Sequence, residues 1–128
     1  MTEVKSRCSI AAAFLKGCER VNLQQVSAAT CAMIRWLSSN SELGALPAAI
    51  LFEQSFVMDE LTYYIFKYQI KPGGIWYLGV AGGYAKDSLQ HCGHVWSDMR
   101  PYVATEAVTQ ATNMVEKLKA YWKARMDL

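Results

Sequence analysis

The segment from Leu61 to Ala81 reads LTYYIFKYQI-KPGG-IWYLGVA. In its first part Tyr64, Phe66, Tyr68 and Ile70 fall on one side of an extended chain, and Tyr63, Ile65, Lys67 and Gln69 on the other. That two-residue alternation, rich in aromatic and β-branched residues, predicts a strand over Leu61–Ile70. Lys71-Pro72-Gly73-Gly74 then places Pro at the second and Gly at the third position of a type II turn. Ile75–Ala81 is the returning strand, closed by Gly82-Gly83, and the whole is a β-hairpin.

Outward from the hairpin, Ile50–Val57 is apolar enough for either a strand or a buried helix, and Leu89–Trp96 reads as a further strand. Arg100-Pro101 ends this β region, because the residue before proline is pushed away from helical dihedrals. Asp59-Glu60 reads as a polar turn. Before the strands, residues from about Val4 to Glu19 carry a helical stripe of Ile10, Phe14 and Cys18. Asn22 is suited to cap a second helix, with Gln25 in place for a capping box. Leu23, Val26, Thr30, Met33 and Leu37 form its core stripe, and Ser38–Gly44 is a loop. After the strands, Thr105 is expected to cap a last helix whose buried side carries Val108, Ala111, Val115, Leu118, Trp122 and Arg125. The expected architecture is therefore α+β: one domain over residues 1–128, with N-terminal helices, an antiparallel meander of three to four strands and a C-terminal amphipathic helix packed on the sheet.

Composition agrees with a folded domain. The 128 residues are 52% hydrophobic and 19% charged, and no apolar run reaches the ~18 residues of a membrane span. A net charge of +2 gives no ground for nucleic acid or a membrane as partner. The four cysteines, Cys8, Cys18, Cys31 and Cys92, have irregular spacing and no Cys-x-x-Cys pair, so they read as free thiols in a cytoplasmic protein. Leu15-Lys16-Gly17-Cys18 is close to a lipoprotein cleavage box, but Lys16 breaks the required apolar run and the segment reads as a first helix.

The one dense set of reactive side chains is His91-Cys92-Gly93-His94, with Asp98 beyond it. As a catalytic set, Cys92 would be the nucleophile, His91 and His94 would lower its pKa, and Asp98 would orient a ring. As a metal set, His91, Cys92 and His94 give at most three donors on one short segment, and a strand turns neighbours to opposite faces. A structural, metal-free role is the expectation, with no cofactor. Gly79-Val80-Ala81-Gly82-Gly83 lacks the spacing of a phosphate loop.

Aromatic content points elsewhere. Tyr63, Ile65, Trp76, Tyr77 and Tyr84 crowd the hairpin, so both faces of the sheet carry large apolar groups and both require cover. The cover can be another helix, a second subunit or a ligand. The expected function is a non-catalytic interaction or ligand-binding protein of small bacterial accessory type. It is homodimeric through its aromatic sheet or a terminal helix face, with another protein or a small apolar ligand as further partners. The alternative is a small thiol- or metal-dependent hydrolase centred on the His-Cys-Gly-His segment.

Overall fold

The structure, a computed structural model, describes residues 22–40 and 46–126, and residues 91–93 through their backbone alone. The helix expected over Val4–Glu19 lies outside the described residues, as do Cys8, Cys18 and the thiol of Cys92. Helix α1 (Leu23–Asn40) is followed by strands β1 (Ala49–Met58), β2 (Leu61–Gln69), β3 (Tyr77–Tyr84) and β4 (His91–Trp96), a short 3-10 turn (Ala104–Glu106) and helix α2 (Ala107–Met126). The strands form one antiparallel sheet in the order β1-β2-β3-β4. The chain is a single-domain α+β protein, with a four-stranded sheet between helices from either end of the described chain.

Local chemistry explains each element. Asn22 caps α1 through its side chain, which accepts from the Gln25 N–H at 3.0 Å. The expected capping box is only half made. The Gln25 side chain turns away, donates to the carbonyls of Ala85 and Ser88, and accepts from the Tyr64 hydroxyl at 2.7 Å. A long-range clamp on the β3–β4 connection replaces the local bond. Helix α1 also runs to Asn40, three residues into the expected loop, with Ser38 and Asn40 bonding back to the carbonyls of Ile34 and Trp36.

Ile50–Val57 is strand, because its pairing with β2 puts Phe52 opposite Phe66 and Phe56 opposite Tyr63. Asp59-Glu60 is the two-residue turn between them, with both φ angles positive (53° and 66°). The Pro72-Gly73 turn forms as read, with Gly73 at φ 72° and the Gly74 N–H bonded to the Lys71 carbonyl at 2.9 Å. Strand β3 does not stop at Gly82-Gly83 but continues to Tyr84. The registers with β2 and with β4 both shift here, and Gly82 has φ 144°. A Cβ at Gly82 would stand 2.7 Å from the Thr62 carbonyl oxygen, so the glycine permits a bulge within the strand instead of ending it.

The alternation in β2 sets the two cores. Tyr64, Phe66 and Tyr68 face α1, packing with Val26, Ala29, Met33, Leu37 and Phe52. Tyr63 and Ile65 face α2, packing with Leu78, Val80, Ala107, Ala111, Met114 and Val115. Full burial of a Phe66-sized side chain contributes about 1.5–3 kcal/mol relative to exposure. The second face of the sheet is thus covered by α2 of the same chain. Thr105 does not cap that helix: it lies within the 3-10 turn, whose N-terminal residue Val103 makes no side-chain cap. Nor does the expected stripe hold to its end. Val108 is exposed, and on α2 the fully buried residues end at Val115, with Leu118 partly buried and Trp122 about half-exposed.

Candidate functional site

The buried residues of α2 all lie between Ala107 and Val115, Lys119 bonds to Asp59 of the β1–β2 turn, and from Ala120 onward the helix is an exposed overhang. Its inward stripe continues there as Leu118, Tyr121 and Trp122, with Tyr121 and Trp122 53% and 49% exposed. Below this overhang runs edge strand β4. Val95 is opposite Ala81 in the α1-side core, whereas Trp96 is opposite Val80 in the α2-side core. The Trp96 ring nevertheless lies 6.0 Å from that of Trp36, on α1. The indole therefore wraps around the end of the sheet edge and joins the two faces.

Together Trp36, Val95, Trp96, Met114, Leu118, Tyr121 and Trp122 line a groove of about 670 Å³, with Asp98 and Lys117 as its charged members. That volume is within the range of roughly 300–1,000 Å³ typical of ligand sites. Three of the protein's four tryptophans meet in it. A smaller, more polar recess of about 250 Å³ adjoins it, sharing Trp96, Asp98, Met114 and Lys117 and adding Arg100, Asn113 and Glu116.

Asp98 is paired with Arg100. Arg100 donates to both of its oxygens, from Nε at 2.9 Å and Nη2 at 2.6 Å, and this guanidinium holds the carboxyl below its ordinary pKa. The segment that carries the pair is fixed from the core. The Ser97 hydroxyl donates to the Leu78 carbonyl at 2.6 Å and accepts from the Tyr68 hydroxyl at 2.7 Å. These bonds turn the chain out of β4 and set Asp98 at the groove wall.

The residues singled out in the sequence are distributed differently. Tyr63, Ile65 and Tyr84 are fully buried, the first two beneath α2 and the third beneath α1. Trp76 is half-buried with the Lys67 ammonium 5.0 Å above its ring, and Tyr77 packs on Tyr68 at 5.6 Å. None of the five lines the groove. His91 and Cys92 lie in β4 with side chains outside the described residues. His94 is buried, its Nδ1 3.5 Å from the Tyr63 hydroxyl across the side-chain-free position of Gly82. It faces the α2-side core, while Asp98 is held at the groove wall by Arg100, so the structure does not bring these two into a pair.

Sequence reasoning missed Trp36, Trp96 and Trp122 as a group. They belong to three separate elements, and only the fold unites them. The one available signal was the continuation of the α2 stripe through Trp122.

Comparison with protein-family models, with curated proteins and with solved structures returns no match, and the site is read from its own geometry.

Proposed function

We propose that this chain is a non-catalytic binding protein, that the tryptophan-lined groove is its working surface, and that its first partner is a second copy of itself. The observation that carries the reading is the overhang of α2. A helix end that holds Tyr121 and Trp122 half-exposed loses apolar burial unless another surface covers it. Aromatic side chains with a polar tip are the types enriched at the centres of protein interfaces. A dimer formed through the groove agrees with a terminal-helix interface. The hairpin residues Tyr63, Ile65 and Tyr84 serve the two cores.

Intrinsic fluorescence tests this reading, since dimer formation removes water from Trp96 and Trp122. On dilution from about 100 to 0.1 µM, a span that covers weak to moderate dimers, the emission maximum moves to longer wavelength. The Trp122→Ala variant shows a spectrum that does not change with concentration. A wild-type spectrum independent of concentration over that span contradicts self-association.

A further inference from the structure

The tryptophan-lined groove and the recess beside it form one depression with an apolar body and a polar end. Trp36, Trp96, Leu118, Tyr121 and Trp122 supply the apolar body. Trp96, Asp98, Met114 and Lys117 line both compartments, so the boundary between them runs past the Lys117 side chain. The recess adds Arg100, Asn113 and Glu116. A ligand that fills both parts is amphipathic, with its apolar body against the tryptophans and a polar head in the recess.

The sign of that head follows from the charges around it. Asp98 is bound by Arg100, whose Nη2 lies 2.6 Å from its carboxylate. Asn113 and Lys117 stand four residues apart on α2, so the amide and the ammonium share one side of the helix. Arg125 lies over the wall residue Tyr121, its guanidinium carbon 5.3 Å from the ring centroid. Among the described residues the depression and its walls thus set Lys117, Arg100 and Arg125 against Asp98 and Glu116. The balance is positive, and apolar walls strengthen the pull of a cation by lowering the local dielectric.

We infer that the depression binds a small amphipathic carboxylate: a free, monomeric molecule whose elongated apolar body fills the groove and whose carboxylate is bound by Lys117, with Asn113 as a second donor. The inference rests on the binding role given to the groove and adds a ligand to it. About 670 Å³ for the body and 250 Å³ for the head accommodate such a molecule. The same aromatic walls cannot hold the ligand and a second copy at once, so carboxylate binding and self-association exclude each other.

Tryptophan emission of the full chain, read at the dilute end of the concentration series, reports entry of the ligand. The compounds used are decanoate, decanol and decylammonium, each below its micelle-forming concentration. Decanoate is expected to bind about tenfold more tightly than decanol, the order that a charge-assisted hydrogen bond supplies, and decylammonium more weakly than either. Lys117 is exposed, so Lys117→Met preserves the fold. That variant brings decanoate to the level of decanol and leaves decanol unchanged, while Trp122→Ala weakens both. Decylammonium binding as tightly as decanoate overturns the inference, as does a preference for decanoate that survives in Lys117→Met. Uptake confined to anionic phospholipid vesicles, with no binding of free decanoate, means a lipid surface and also overturns it. Self-association is read separately, from the mass of the chain without ligand, so the failure of one reading is distinct from the failure of the other.

Discussion

Trp36 of α1 and Trp96 of β4 meet at the β4 edge of the sheet, their ring centroids 6.0 Å apart and their planes inclined by 52°. Trp36 also packs on the α1-side core, so it has two roles, supporting the fold and forming a groove wall. Trp122, half-exposed on the α2 overhang, forms only a wall. Trp36→Ala is expected to cost about 1–3 kcal/mol through lost packing and a lost ring pair. Trp122→Ala is expected to cost less than about 1 kcal/mol. Urea unfolding separates the two, and equal losses would place Trp122 in the core.

The glycines of β3 and of the hairpin turn differ in what surrounds them. A Cβ at Gly82 meets backbone, 2.7 Å from the Thr62 carbonyl oxygen and 2.9 Å from the Tyr63 Cα, whereas a Cβ at Gly73 meets open space. Both have positive φ, so both substitutions carry backbone strain. Gly73→Ala is expected to destabilise by about 1 kcal/mol and Gly82→Ala by more than ~3 kcal/mol, since only the second must also displace main chain. Denaturation midpoints that are the same for the two variants would contradict the bulge.

Glu60 occupies a left-handed position in the β1–β2 turn at φ 66°. An L-residue there costs roughly 1–2 kcal/mol, which glycine avoids. Glycine adds about 0.5–1 kcal/mol of chain entropy to the unfolded state, so Glu60→Gly is expected to stabilise by about 0.5–1 kcal/mol. Asp59 is best left in place, because it accepts from the Lys119 ammonium of α2 at 2.6 Å. A lower melting temperature for Glu60→Gly would show that the turn is not strained.

Alkaline pH acts on the buried tyrosines. Burial raises the Tyr64 and Tyr68 hydroxyls above their ordinary value of 10, and pushes Tyr84 up to about 12 with a further contribution from the Cys31 thiol. Burial and the Glu53 carboxylate raise Tyr102 to about 12. Unfolded tyrosines ionise near ~10, so above that pH the unfolded chain holds fewer protons than the folded one. Stability is therefore complete below pH ~10 and falls as pH rises towards the folded values. Urea midpoints should decline between pH ~10 and ~12, with phenolate absorbance from these residues rising as the chain unfolds. A constant midpoint over that range would contradict their burial.

The fold was legible where the chain states its period. Alternation from Tyr63 to Tyr68 assigns both faces of β2, and Pro72-Gly73 dictates its turn. It was less legible where a residue type has two uses. Gly82-Gly83 has the composition of a strand end, yet it forms a bulge because neighbouring backbone on β2 comes too close for any side chain. Gln25 has the spacing of a capping-box partner, but its amide is drawn 60 residues away to the Ala85 carbonyl. The groove could not be found by spacing. Trp36, Trp96 and Trp122 converge only because α1 and α2 cover opposite faces of one sheet whose edge strand carries Trp96. The hairpin aromatics drew attention as exposed candidates because alternation shows that two faces are apolar, without showing that one chain supplies both covers.

Self-association through the groove is the central claim, and the mass of the full chain in solution tests it most directly. Light scattering on the eluting protein at about 100 µM, well above the dissociation constant of a moderate dimer, should give twice the monomer mass for the wild type and the monomer mass for Trp122→Ala. A wild-type chain that elutes at the monomer mass under those conditions, folded and with its tryptophans exposed, would contradict the account.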